Sequence, residues 1–177
     1  YLDDNQIGDS GATSIANSIS NLTQLQQLYL NNNQIGCTGG TAIGYSITNL
    51  TQLQELYLSR NKMGDTGATA IGYSISTLTR LKHLVLNDNQ IGDTGAIALA
   101  NSIGNLTQLQ ALYLRTNQIG DTGAIAIANA SNNLTQLDSL YLSDNNISES
   151  VQRQVKKQLG DKLDIWVEDD NAGEDYE

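Results

Sequence analysis

Residues 81–108 read LKHLVLNDNQIGDTGAIALANSIGNLTQ, and residues 109–136 read LQALYLRTNQIGDTGAIAIANASNNLTQ. The second stretch repeats the first with a step of 28 residues, and the pattern continues at this step in both directions. One asparagine recurs without a slip, at Asn5, Asn33, Asn61, Asn89, Asn117 and Asn145. Self-similarity at a fixed step of this length indicates a stack of repeats rather than an irregular globule.

Each repeat begins with a short strand. The segment Leu-x-x-Leu-x-Leu-x-x-Asn-x-Ile, seen as Leu25, Leu28, Leu30, Asn33 and Ile35, alternates around its central leucines, and such alternation predicts a strand. The predicted strands lie near residues 27–30, 55–58, 83–86, 111–114 and 139–142. The recurring asparagine ends each strand, where its amide is expected to bond backbone groups of the turn and of neighbouring repeats that would otherwise be buried unpaired.

A helix follows each strand. Ala96, Leu99, Ala100 and Ile103 recur at the spacing of one helical face. Asp93 or Thr94 is the expected N-cap of this helix, because both residue types satisfy free backbone N–H groups at helix starts.

The composition excludes several classes of function. The chain has a net charge of -10, and its nine basic residues form no cluster, so nucleic acid is not an expected partner. No apolar run has the ~18 residues of a membrane span, and the sequence contains no metal-ligand cluster or phosphate-binding motif. We therefore expect no metal, no cofactor and no membrane contact. Cys37 is the single cysteine, which excludes an internal disulfide and fits a reducing compartment.

The repeats resemble the leucine-rich repeat family. The step of 28 residues and the segment Ile-Gly-Asp-x-Gly-Ala, at residues 91–96, are similar to its ribonuclease-inhibitor-like branch. That branch includes ribonuclease inhibitor, the repeat domains of innate immune receptors and the Ran GTPase-activating protein. The resemblance covers about residues 1–167 and implies an α/β fold, a right-handed leucine-rich-repeat solenoid. Its parallel strands would line a concave face and its helices a convex face of a curved horseshoe segment, since strands lie ~4.8 Å apart and helices ~8–10 Å apart.

The two ends depart from the repeat. Residues 1–148 are expected to form leucine-rich repeats, of which the first is truncated and has no polar cap. We expect the apolar side chains of that unit, Leu2 among them, to favour self-association through the N-terminal face. Residues 149–167 are expected to form a C-terminal capping helix and strand, the strand at Leu163 and Ile165. Residues 168–177 are acidic and are expected to be disordered.

A file of aromatic side chains is predicted to run along the concave sheet. This tyrosine file contains Tyr1, Tyr29, Tyr57, Val85, Tyr113 and Tyr141. Tyrosine is rigid, amphipathic and enriched at binding hot spots, so the file is a candidate contact strip, although tyrosine also favours strands. Tyr45 and Tyr73 lie instead on successive helices and are expected to face outward.

Three rows of predicted strand positions beside the file differ from repeat to repeat while the framework stays constant. The first row is Gln27, Glu55, His83, Ala111 and Ser139; the second row is Asn32, Arg60, Asp88, Thr116 and Asp144; the third row is Asn31, Ser59, Asn87, Arg115 and Ser143. Variation confined to one surface is typical of a recognition face. Glu55 with His83, and Arg60 with Asp88, are expected to form cross-strand charge pairs rather than a catalytic dyad.

The sequence therefore predicts a protein-binding module, not an enzyme. Its partner-binding residues would be Tyr29, Tyr57, Val85, Tyr113, Tyr141, Glu55, His83, Arg60, Asp88, Arg115 and Asp144. The resemblance leaves two other roles open: a Ran-type GTPase activator, or the sensor or autoinhibitory segment of a larger receptor or bacterial effector. The expected location is the cytoplasm, or a host cytosol in the case of an effector.

Overall fold

The computed structural model describes residues 1–160. Five short strands form one parallel sheet in the order of the chain. They are β1 (Gln27–Tyr29), β2 (Glu55–Tyr57), β3 (His83–Val85), β4 (Ala111–Tyr113) and β5 (Ser139–Tyr141). Equivalent repeat positions face each other, so that Leu28 pairs with Leu56 and Leu84 with Leu112. The predicted parallel strands are confirmed.

A helix follows every strand and packs against the helices of the neighbouring repeats. The helices are α1 (Gly8–Ile19), α2 (Cys37–Ser46), α3 (Gly64–Ile75), α4 (Asp93–Ile103), α5 (Asp121–Ser131) and α6 (Glu149–Leu159), with a short 3₁₀ turn at Ile47–Asn49. Strands and helices thus form two layers of one solenoid, as the sequence predicts. We call the solvent side of the sheet the sheet face and the solvent side of the helices the helix face.

The core lies between the two layers and is aliphatic. Each repeat contributes leucines from its strand and isoleucine, leucine and alanine from its helix, and these form one continuous cluster. In the fourth repeat Leu84, Leu86, Leu99 and Ile103 are fully buried. Since the apolar side chains of each repeat are covered by the next repeat, burial of apolar surface is the main favourable term in the stability of the stack.

The recurring asparagines bond the turns of adjacent repeats together, as expected. Asn117 Oδ1 accepts from the backbone N–H groups of Asn89 and Ile91, both at 3.0 Å, while its Nδ2 donates to the carbonyl oxygens of Leu86 and Leu114. Asn61 is bonded in the same way to the repeat before it. These bonds satisfy backbone groups that are buried away from water.

Where a helix has an aspartate near its start, that aspartate caps the next helix, not its own. Asp93 Oδ1 accepts from the backbone N–H groups of Gly120 and Gly123, both at 2.8 Å, and α4 has no side-chain cap of its own. The prediction that Asp93 or Thr94 caps α4 is therefore wrong. The solenoid brings the start of the following helix beside this carboxylate, and it satisfies two free N–H groups there.

The chain has one break in this series of aspartates, at Cys37. Asp9 and Asp65 bond the next repeat as Asp93 does, but Cys37 occupies the equivalent position in the second repeat. The glycine that would receive that bond, Gly64, has φ +56° and donates its N–H to Asn89 O instead. Glycines that face an aspartate, such as Gly120 with φ -95°, are extended. The conformation of this turn thus changes together with the side chain at the equivalent of residue 37 in the preceding repeat.

Helix α6 continues the stack at the end of the described chain. Ser148 caps it, since its Oγ accepts from Val151 N–H, and its own N–H donates to Asp121. Val151 and Val155 are buried against the preceding repeat. A helix thus lies where the sequence predicts the first part of a cap, whereas the predicted strand at Leu163 and Ile165 and the acidic segment 168–177 lie outside the described residues.

Candidate functional site

The tyrosine file is a stack of aromatic rings along the sheet face. The ring centroids of Tyr29 and Tyr57 lie 4.3 Å apart and the rings are nearly parallel, at 8°. Tyr1 lies 4.5 Å from Tyr29, and Tyr113 contacts Tyr141 edge to face at 4.6 Å. The ring spacing follows from the strand spacing of ~4.8 Å, because residues at equivalent positions face each other across neighbouring strands. Val85 divides the file into two groups of rings.

The tyrosine hydroxyls bond first-row residues of the following repeat. Tyr1 donates to Gln27 Oε1 at 2.7 Å, Tyr29 donates to Glu55, and Tyr57 bonds His83 Nδ1 at 3.2 Å. The next pair in this series is apolar in both members, Val85 and Ala111. Gln27, Glu55 and His83 differ in type, yet each bonds a tyrosine hydroxyl of the protein itself, so these first-row side chains also have a structural role.

The environment of Tyr29 on this face changes the acidity of its phenol. Burial, together with the hydrogen bond to Glu55, raises the pKa of the Tyr29 phenol well above its ordinary value. A tyrosine phenol is neutral at physiological pH, and the raised pKa keeps this one a hydrogen-bond donor at more alkaline pH as well. This state holds the Glu55 carboxylate in place beside the ring.

The tyrosine file is less accessible than the sequence suggests. Tyr57 is only 6% exposed and Val85 is buried as well. Tyr29, Tyr113 and Tyr141 are half-buried. As predicted contact residues, Tyr57 and Val85 therefore offer a partner little surface, whereas the other three offer more.

The second row does not lie on the strands. Its members follow the strand ends and all have left-handed backbones, with φ between 53° and 55°. Asparagine and aspartate tolerate this conformation, which accounts for Asn32, Asp88 and Asp144 in part, but it disfavours Arg60 and the β-branched Thr116. Arg60, Asp88 and Asp144 project into solvent, so this row forms the accessible rim of the sheet face.

The charge pairs on this face differ from those predicted. Within residues 1–160, no ion pair within 4.0 Å joins Arg60 to Asp88 or Glu55 to His83. The left-handed backbone at the second row directs its long side chains into solvent, and Glu55 and His83 are held by tyrosine hydroxyls. Arg115 instead bonds Asp144 of the next repeat at 2.8 Å. Two predicted contact residues are thus bonded to each other.

The third row is partly structural. Asn31 Oδ1 accepts from the N–H of Ser59 at 2.7 Å, and Asn87 Oδ1 accepts from the N–H of Arg115 at 2.9 Å. The asparagines of this row therefore bond the backbone of the following repeat. Arg115 is the predicted contact residue in this row, and its side chain is partly exposed.

No group of three histidine, cysteine, aspartate or glutamate side chains within residues 1–160 is placed to hold a metal ion. Over the same residues, no helix combines the length and apolar character of a membrane span. The polar residues of the sheet face form pairs along neighbouring strands rather than converging on one point.

Comparison with known proteins decides the family. A family model described as Leucine Rich repeat matches residues 1–16, 21–44, 49–72, 77–100 and 105–128. The chain belongs to the leucine-rich repeat family. Leucine-rich repeat proteins are generally protein-interaction modules. No curated protein matches the chain.

Two solved leucine-rich repeat structures are similar to this chain, both internalins of Listeria monocytogenes. Internalin InlF is 30% identical with a TM-score of 0.61, over 87% of this chain and 36% of the internalin. Internalin C2 is 26% identical with a TM-score of 0.57, over 85% of this chain and 54% of the internalin. The present chain therefore spans about a third to a half of the length of these relatives.

Proposed function

We propose that this leucine-rich repeat protein binds another protein through the sheet face. The observation that carries the proposal is the rim formed by the second row: Arg60, Asp88 and Asp144 are exposed, vary between repeats, and stand beside a rigid row of tyrosine rings. Arg60 occupies a backbone conformation that disfavours arginine. An exposed arginine at a position where the fold favours asparagine or aspartate is not explained by the needs of the fold, and this supports a role in binding.

Two groups of side chains would divide the work of binding. Arg60, Asp88 and Asp144 on the rim would set the charge pattern and the rate of association. The half-buried rings of Tyr29, Tyr113 and Tyr141, with Arg115, would supply the desolvated anchors, because aromatic residues and arginine dominate interface hot spots. Glu55 and His83 would bind through the atoms that the tyrosine hydroxyls leave uncovered.

We also propose the finer family assignment to the ribonuclease-inhibitor-like branch and a location in the cytoplasm, or in a host cytosol for an effector. The complete helix in every repeat and the sequence step of 28 residues support the branch. We propose no catalytic role. A GTP-turnover assay with a panel of small GTPases tests this point, and acceleration of turnover would contradict it.

The proposal is tested by affinity capture with variants that use the chain's own alternatives. Arg60→Asn introduces the residue that the first complete repeat carries at this position, Asn32, and Tyr113→Val introduces the residue of the third strand, Val85. Both substitutions introduce a side chain that the fold already carries at the equivalent position of another repeat. Asn101→Ala on α4 is the matched change on the helix face, since Asn101 is exposed.

A true partner should be captured equally by the parent and by Asn101→Ala, and in smaller amounts by Arg60→Asn and Tyr113→Val. Each sheet-face change should weaken binding by about 1–2 kcal/mol, and thermal melts should show that all variants remain folded. If the captured proteins are the same in identity and amount for all four chains, or if Asn101→Ala alone loses them, the sheet face is not the binding surface.

A further inference from the structure

The helix face carries a second surface that differs from the rest of the solenoid. Tyr45 on α2 and Tyr73 on α3 are 64% and 70% exposed. The equivalent residues of α1, α4 and α5 are asparagines, Asn17, Asn101 and Asn129. The fold therefore does not require an aromatic side chain at this position, and two adjacent helices expose one to water.

The two tyrosines flank an open groove of about 290 Å³. The groove includes Thr41 on α2, Asp65 and Thr69 on α3, and Thr94 on α4. This volume lies at the lower end of small-ligand sites, which begin at ~300 Å³. It therefore suits a ligand the size of a small ring system rather than the broad surface of a folded protein.

Glycines bring the helices that carry this groove close together. Gly44 and Gly72 precede Tyr45 and Tyr73, where the other repeats have alanine. A Cβ atom at Gly44 would lie 2.8 Å from backbone carbon of Ala70, and one at Gly72 would lie 2.7 Å from Ala98 O. In these two repeats the dipeptide Gly-Tyr therefore replaces Ala-Asn. The glycine allows the neighbouring helix to approach closely, and the tyrosine beside it is exposed.

The lining of the groove is rich in hydroxyl groups and includes no basic side chain. Within the described chain, the side-chain hydroxyls of Thr66, Thr69 and Thr94 have no hydrogen-bond partner. These hydroxyls are therefore available to a ligand. In the two repeats that follow, Ile97 and Ile125 stand where Thr41 and Thr69 stand here. The hydroxyl-lined groove is therefore confined to this part of the helix face.

The charges select the class of ligand. Helices α1 to α5 contain no lysine or arginine, so the groove offers no cation to a phosphate or sulfate group. Its charged member is Asp65, whose Oδ1 accepts from Gly92 and Gly95. A carboxylate has further acceptor sites, and Oδ2 can therefore accept from a ligand hydroxyl.

From these observations we infer that the groove binds a neutral saccharide. The C–H face of a pyranose ring stacks on an exposed tyrosine, which is apolar across its ring and polar at its tip. The ring hydroxyls bond the threonine side chains and Asp65. A polypeptide with an exposed aromatic or proline residue is the competing occupant, but it makes less use of three free threonine hydroxyl groups in one small groove.

The inference is tested by calorimetric titration of the full chain with cellohexaose, maltohexaose and chitohexaose. At least one of these neutral oligosaccharides should bind with a dissociation constant on the order of 1 mM or below. Tyr45→Asn and Tyr73→Asn should each weaken that binding by about tenfold or more. Asn101→Ala on α4 and Arg60→Asn on the sheet face should bind like the parent, which separates this site from the proposed protein-binding face.

Three results would overturn the inference. The first is that none of the three oligosaccharides binds the parent. The second is that binding persists in Tyr45→Asn and Tyr73→Asn with both variants folded by circular dichroism. The third is that dextran sulfate, or a peptide rich in proline and aromatic residues, binds the groove more tightly than every neutral oligosaccharide.

Discussion

Replacing Cys37 with aspartate should stabilise the protein by completing the series of cross-repeat caps. Asp93 shows what the new side chain would do, since its Oδ1 accepts from Gly120 and Gly123 at 2.8 Å each. A carboxylate at residue 37 would face the N–H groups of Gly64 and Gly67 in the same way. Gly64 would then leave its left-handed conformation for the extended one found in the repeats that have the aspartate.

The expected gain is about 1 kcal/mol. A helix cap contributes roughly 0.5–2 kcal/mol, and a negative charge near a helix N-terminus contributes roughly 0.3–1 kcal/mol. The gain stays near the lower part of that sum because the Gly64 N–H already donates to Asn89 O at 2.9 Å. The new bond therefore replaces a neutral bond with a charge-assisted one instead of satisfying a free group.

Urea unfolding measures the effect. With a denaturant dependence of roughly 1–3 kcal/mol per molar urea, the unfolding midpoint of Cys37→Asp should rise by about 0.3–1 M. Cys37→Ala is the matched control and should unfold near the parent, whereas Asp93→Ala should lower the midpoint. If Cys37→Asp is no more stable than Cys37→Ala, the side chain at this position does not determine the turn of the next repeat.

Further substitutions test other parts of the fold by the same unfolding measurement. Asn117→Ala should lower the free energy of unfolding by about 1–2 kcal/mol more than Asn89→Ala does, because Asn89 Oδ1 lacks a partner in the described chain. This order is expected although Asn89 is the more buried of the two, and equal losses would contradict it. Thr116→Asn should gain about 1 kcal/mol at its φ of 55°, with Asn32→Thr showing the opposite sign. Tyr57→Val should cost about 1–3 kcal/mol through lost burial and stacking, and an unchanged midpoint would show that the ring contributes nothing to the fold.

The fold could be predicted from the sequence because the same pattern occurs six times, and equivalent residues in each copy indicate the same position in the structure. Leu28 and Leu30 alternate, Ala96 to Ile103 recur at helical spacing, and Asn33 recurs at every strand end, so strand, helix and turn are each specified several times over. Sequence spacing along one repeat was sufficient for these elements. It was insufficient for Asp93, whose bonds are made to a helix 27 to 30 residues away.

The candidate site was less predictable, because it depends on side-chain directions and on burial. The rows at Glu55 and Arg60 are recognisable from their variation, but the left-handed backbone at Arg60 and the hydroxyl bond between Tyr57 and His83 are not encoded in any spacing. The sequence placed Tyr45 and Tyr73 on the helix surface, yet the groove between them depends on the distance between two helices.

Site-specific photocrosslinking tests the central claim, that the sheet face binds a protein partner, most directly. A photoreactive amino acid would replace Arg60, Asp88 or Asp144 on the sheet face, or Asn101 or Asn129 on the helix face, all of which are exposed. The sheet-face positions should yield an adduct with one and the same protein, while the helix-face positions yield none. An adduct formed from Asn101 or Asn129, with none from the sheet face, would contradict the account.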